Sequence, residues 1–155
     1  MKKIIVFIYL FLATWCLATP NVLLLKVNSA IGPAAADYIE KGIQKAENEH
    51  MQALVLQLDT PGGLDKSMRN IIKSITNASI PVICYVAPTG AHATSAGAFI
   101  LISSHIAAMA PGTNVGAATP VNLLGGKSDN NADASAMDIK ILNTARAYII
   151  SLAKL

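Results

Sequence analysis

Apolar residues along this chain come in two rhythms. Residues 22–27, 53–58 and 82–86 are short, nearly unbroken apolar runs rich in Val, Leu and Ile, the pattern of strands buried on both faces of a parallel sheet. Between the first two, Gly32-Pro33 opens a segment in which Tyr38, Ile39, Ile43 and Ala46 recur on one side. That is the spacing of an amphipathic helix with proline in its first turn. Between the second and third, Leu64, Met68, Ile71, Ile72 and Ile75 repeat it, with Lys66, Arg69 and Lys73 opposite. The order strand–helix–strand–helix–strand, in units of about 30 residues, has the size of right-handed crossovers. An α/β fold built of βαβ units with a mainly parallel sheet follows.

Downstream the elements shorten. Residues 96–103 read as a helix start and 106–109 as another strand, with Pro111-Gly112-Thr113-Asn114 as a turn. Residues 124–135 are a Gly, Asn, Asp and Ser cluster with little to bury, which predicts a mobile surface loop. Ile141, Ala145, Tyr148, Ile149 and Leu152 then mark a last helix that reaches Leu155 without a capping glycine. The first eighteen residues are a different object. Lys2 and Lys3, an apolar stretch over 4–17, and the small-residue end Cys16-Leu17-Ala18 together predict a secretory signal peptide over 1–18, cut after Ala18. An uncleaved anchor is the alternative, although the stretch is short for a span of about 20 residues. A lipoprotein signal on Cys16 is disfavoured by bulky Trp15 before it. The expectation is an exported protein with one domain over 19–155.

With 53% hydrophobic and 14% charged residues, a chain of 155 residues can bury a core. Its net charge of +3 falls to +1 without Lys2 and Lys3, far from the dense basic face that nucleic acid requires. Of two cysteines only Cys84 would remain, so no internal disulfide is expected and Cys84 reads as a small core hydrophobe. The histidines are scattered and no phosphate-cradling glycine motif follows a strand. Neither a metal nor a cofactor is expected.

Chemistry gathers in Gly90-Ala91-His92-Ala93-Thr94-Ser95-Ala96-Gly97, just after the 82–86 run. Ser95 is flanked by residues with little side chain, so its hydroxyl can be approached closely and the next N–H can face a developing oxyanion. The plain alternative is that Ser95 caps a helix. Pro61-Gly62-Gly63 follows the 53–58 run, at the strand end where open parallel sheets bind ligands. Gly62 and Gly63 let the backbone approach a substrate, and the Gly63 and Ala96 N–H groups are candidate oxyanion donors. An ordinary strand-to-helix turn would look the same. Ser103 and Ser104 lack any such surroundings. For a base, His50 sits in a charged run, His92 lies three residues before Ser95, and His105 follows Ser103-Ser104. None has an evident Asp partner, so a Ser-His-Asp triad is not compelled. Lys140, at the start of the last helix, is the remaining candidate, because apolar neighbours and a helix N-terminus both favour the neutral amine. A solvated surface lysine is its plain alternative.

Taken in order, these pieces resemble the NfeD family of membrane-bound Clp-type serine proteases, whose fold is the ClpP/crotonase superfold. Asp59-Thr60-Pro61-Gly62-Gly63 looks like that family's oxyanion turn, and Gly90-x-x-Ala93-x-Ser95-Ala96-Gly97 like its nucleophile motif. The run from His105 to Pro120 is similar to its segment after the nucleophile, and Lys140 with Asn143, Ala147, Tyr148 and Ile149 to its lysine segment. The resemblance implies Ser95 as nucleophile, Lys140 as general base, Gly63 and Ala96 as oxyanion donors, and Gly62 and Gly63 as substrate-binding backbone. It implies ClpP/crotonase-like ββα and βαβ units, a dimer or larger homo-oligomer, and an apolar segment of a stomatin-like membrane protein as substrate. Two departures stand out. Family members continue past the lysine helix, which implies a domain truncated at its C-terminal end, and His92 stands where relatives often carry another residue. Two rivals are a truncated remnant that only binds, and a crotonase-like acyl-CoA enzyme, which would need a catalytic carboxylate where only Asp59 is near.

Overall fold

The computed structural model describes residues 21–116 and 132–154. The segment 1–18 read as a signal peptide, and residues 124–131 of the polar loop, lie outside them. The elements run β1 (Val22–Asn28), α1 (Pro33–Asn48), β2 (Ala53–Asp59), α2 (Asp65–Thr76), β3 (Val82–Val86), β4 (His92–Thr94), α3 (Ala96–Ile102), β5 (Ile106–Met109), β6 (Asn114–Gly116) and α4 (Ala132–Leu152). A parallel sheet has the order β1-β2-β3-β5. Leu25 and Val27, Leu54, Leu56 and Leu58, and Val82, Cys84 and Val86 alternate to one face of it. There they join Ile39 and Ile43 of α1, Met68, Ile71, Ile72 and Ile75 of α2, and Phe99 and Ile100 of α3 in one core.

The expectation of strands buried on both faces is corrected. Leu24, Val55, Ile83 and Ile106 lie side by side across the four strands on the opposite face, and Leu24 and Ile106 are 50% and 51% exposed. Among the described residues only one face is covered, and apolar residues on the open one hid the alternation. Two helix faces also shift. The buried stripe of α1 is Ala36, Ile39, Gly42, Ile43 and Ala46, which leaves Tyr38 exposed. Leu64 precedes the first turn of α2 and is exposed too.

A second, two-stranded sheet pairs β4 with β6 in parallel, where the sequence suggested turns. Three-residue strands carry no readable period, and distant pairing creates them. Helix α4 begins at Ala132, inside the stretch expected to be a loop. Lys140 therefore sits in the third turn rather than at the helix start, beyond reach of the N-terminal dipole. The second half of α4 holds it to the body: Leu152 is buried, and Ala145, Tyr148 and Ile149 pack on the core. Tyr148 stacks on Phe99 of α3 at 5.9 Å between ring centroids. The Arg69 guanidinium of α2, paired with Asp65 at 2.7 Å, covers the same ring at 4.4 Å.

Candidate active site

At the C-terminal end of β2 the chain turns sharply through Thr60-Pro61-Gly62-Gly63. Thr60 is fully buried, and its hydroxyl accepts from the Gly62 N–H at 3.1 Å and donates to the Gly62 carbonyl at 3.3 Å. The Gly62 carbonyl also accepts the Ile31 N–H at 2.7 Å, and the Ile31 carbonyl accepts the Leu64 N–H at 2.8 Å. In this parallel bridge Ile31 bonds both neighbours of Gly63, so the amide of Gly63 itself points away from Ile31. A Cβ on Gly63 would be driven into the Ile31 backbone. Gly62 has φ 113°, a conformation for glycine alone, and a Cβ there would meet the Ser95 Cβ at 2.6 Å. That contact makes the glycine turn and the serine one site.

Ser95 reaches it from the other direction. Thr60 donates its N–H to the His92 carbonyl at 2.7 Å and accepts the Thr94 N–H at 3.1 Å, which ties β4 to the end of β2. Ser95 then occupies the N-cap position of α3 with φ 51° and ψ −117°, and its hydroxyl makes no cap hydrogen bond. A non-glycine residue at such φ is strained, as at other strand-to-helix turns that present a nucleophile. The capping alternative is therefore not realised. The half-buried Ser95 side chain has no hydrogen-bond partner among the described residues. Gly97 lets this turn close, since a Cβ on it would meet the Thr60 Cγ2 at 2.6 Å.

The amides around the serine are sorted by these bonds. Those of Gly62 and Leu64 are taken, and the Ser95 N–H donates to the Gly116 carbonyl at 3.0 Å. The N–H groups of Gly63 and Ala96 donate to no described residue. Lys140 is different. Its side chain is exposed and bonds neither Ser95 nor any other described residue.

The rival residues have other work. His105 Nδ1 accepts the Val82 N–H at 3.1 Å at the start of β3, the far end of the sheet strands from Ser95. His50 is exposed beyond α1, and Ser103 and Ser104 both donate to the Ile100 carbonyl. Burial pushes the Cys84 thiol up to about 12, which leaves it inert. One expectation is corrected: His92 does have an Asp partner. Asp59 Oδ1 stands 3.2 Å from His92 Nδ1 and accepts the His92 N–H at 3.1 Å. That carboxylate is engaged, which weakens the acyl-CoA alternative. Asp59, Thr60, Gly97 and Gly116 were invisible as a unit because their contacts join separate segments. The only signal was their place beside the glycine turn and the serine.

The sequence profile described as NfeD1b, N-terminal domain, matches residues 21–148. Membrane-bound protease PH1510 of Pyrococcus horikoshii is 40% identical over 156 aligned positions, covering 99% of this chain and 34% of that protein. The chain thus spans about a third of this curated relative. Two solved structures of the 1510-N membrane-bound stomatin-specific protease superpose on it. A serine-to-alanine mutant has a TM-score of 0.76 and 38% identity, covering 89% of this chain and 65% of that one. A lysine-to-alanine mutant in complex with a substrate peptide has a TM-score of 0.69 and 35% identity, covering 83% and 60%. ClpP1 of Listeria monocytogenes, 14% identical with a TM-score of 0.65 over 90% of this chain and 76% of its own, shares the fold. Among the described residues no helix is long and apolar enough to cross a membrane.

Proposed function

Since the chain belongs to the NfeD1b N-terminal domain family and has a ClpP-like fold, we propose that it is a serine endopeptidase working through a Ser95–Lys140 dyad. Ser95 Oγ attacks the peptide carbonyl carbon as its proton passes to the neutral Lys140 amine. The Gly63 and Ala96 N–H groups hold the oxyanion that forms. Collapse expels the amine, which takes the proton from Lys140 and leaves an acyl-serine. Water, giving a proton to the Lys140 amine, adds to the acyl carbon, and the acid leaves as Ser95 Oγ takes that proton back. Gly62 and Gly63 offer bare backbone to the substrate strand. The observation that carries this reading is the Ser95 hydroxyl, held at φ 51° against Gly62 beside the Gly63 and Ala96 amides, none of the three bonded to another described residue.

The stomatin-specific relative, solved with serine and lysine separately replaced by alanine, supports the dyad and an apolar segment of a stomatin-like membrane protein as substrate. The 1–18 segment supports export, with action at the membrane surface, and the open apolar sheet face supports a homo-oligomer. The exposure of Lys140 favours a second reading, a domain that binds the same segment without cutting it. Cleavage of an apolar peptide by wild type, Ser95→Ala and Lys140→Ala decides between them. The dyad predicts losses of about 1,000-fold or more in kcat for each variant, whereas equal rates in all three would exclude it. Peptide binding without turnover in wild type would establish the second reading.

A further inference from the structure

The dyad uses neither Asp59 nor His92, yet these two join the halves of its site. Asp59 is the last residue of β2, immediately before the glycine turn, and His92 is the first of β4, three residues before Ser95. One oxygen, Asp59 Oδ1, accepts the His92 N–H at 3.1 Å and lies 3.2 Å from His92 Nδ1. We infer that Asp59 is a positioning residue for Ser95, with the His92 imidazole resting against the same carboxylate, fixing the register between the glycine turn and the nucleophile strand. The inference rests on the peptidase reading above.

The argument is one of leverage. Strand β4 has three residues and, beside the Asp59 contact, is tied to the end of β2 at Thr60, whose N–H donates to the His92 carbonyl and whose carbonyl accepts the Thr94 N–H and hydroxyl. So short a ladder can slip, and a slip would carry Ser95 from its 2.6 Å approach to the Gly62 Cβ position. An ionised acceptor makes stronger hydrogen bonds than a neutral one. Because its donor is a backbone N–H, Asp59 grips the strand itself rather than only a side chain. Asp59 is 21% and His92 40% exposed at the side chain, so the imidazole contact is partly screened and the backbone contact is the stronger grip. No other charged side chain lies within ion-pair distance of either among the described residues.

The test uses the complete chain in mild detergent, with a fluorophosphonate that phosphonylates the nucleophile and releases fluoride, an apolar peptide substrate, and amide hydrogen exchange. Asp59→Ala should slow Ser95 labelling and lower kcat by about 30-fold, with KM changed less than about twofold. Asp59→Asn keeps a carbonyl acceptor for the His92 N–H and should recover most of that loss. His92→Ala should cost only about threefold. A merely structural role would lower the labelled fraction and leave the rate constant of the folded fraction unchanged, which would overturn the inference. Exchange at the His92 and Thr94 amides should quicken in Asp59→Ala while Leu56 is unmoved. Unchanged exchange would also overturn it, whether or not the chain cuts peptides. If wild type takes no label, the peptidase reading fails, and faster exchange would then support the clamp by itself.

Discussion

Ser95 and Lys140 are held in opposite ways. The serine is fixed by backbone: β4 is tied to Thr60, Ser95 to Gly116, and Gly62 and Gly97 permit contacts that any side chain would block. The lysine rides on a helix whose described core contacts come from Ala145 to Leu152, Tyr148 among them. Lys140 lies about 12 Å up the helix axis from Tyr148, at 1.5 Å per residue. The proposed nucleophile is thus pre-organised in this chain by itself, whereas the proposed base depends on how a lever is docked. A site of this kind can present a reactive hydroxyl before its proton acceptor is in place.

The largest effect should come from the serine side. In Gly62→Ala the new methyl meets Ser95 at a backbone φ of 113° that alanine avoids. We expect Ser95 labelling to fall by about 100-fold or more, with about 2–4 kcal/mol of stability lost. Gly90→Ala is the control, because Gly90 also has positive φ, at 89°, but nothing within 4 Å of its added Cβ. It should cost about 1 kcal/mol and little labelling. Equal labelling losses in the two variants would mean that turn strain alone, and not the approach to Ser95, matters.

The two sides also differed in how readable they were. The β1–α1–β2–α2–β3 frame was legible because strand runs and helix spacing are local signals, and its helix stripes needed only small shifts at Tyr38 and Leu64. Ser95, Gly62 and Gly63 were legible because small residues cluster where a backbone must come close. What escaped was everything made by pairing across distance. Strands β4 and β6 are too short for periodicity, and the Asp59–His92 contact spans 33 positions. Helix α4 was misplaced because Ala132–Ser135 sits beside a Gly/Asn-rich run, and burial of Leu152 and Tyr148, rather than the local sequence, holds the helix in place. The open sheet face escaped for the opposite reason: Leu24, Val55, Ile83 and Ile106 are apolar whether covered or not.

A smaller effect should mark the lysine side. Tyr148→Leu keeps apolar bulk but removes the stack on Phe99 and the face beneath Arg69. It should cost about 1–2 kcal/mol and make α4 an early site of limited proteolysis. Peptide turnover should fall several-fold while the labelling stoichiometry of Ser95 stays at the wild-type level. Tyr148→Phe retains the ring and should restore protection. Equal sensitivity of nucleophile labelling and turnover to Tyr148→Leu would break the distinction, because the serine would then also depend on the docked helix.

The smallest effect separates local from global stability. Thr144, exposed one turn after Lys140 in α4, donates its hydroxyl to the Lys140 carbonyl at 2.9 Å. Ser74 makes the same kind of bond to the Asn70 carbonyl, at 3.2 Å, in α2. Such back-bonds slightly weaken a helix, and alanine is the better helix former by about 0.5 kcal/mol. In α2, whose Met68, Ile71, Ile72 and Ile75 are all core residues, that gain is shared by the whole domain, so Ser74→Ala should raise the global unfolding midpoint. Around Lys140 the described side chains of Ile139, Leu142, Asn143 and Thr144 are exposed, and a segment with few buried contacts exchanges at low free energy. Thr144→Ala should therefore slow amide exchange around Lys140 by about twofold and leave the global midpoint where it was. A midpoint shift matching that of Ser74→Ala would show the lysine half of α4 to be as firmly coupled to the core as α2, and the base to be as fixed as the nucleophile.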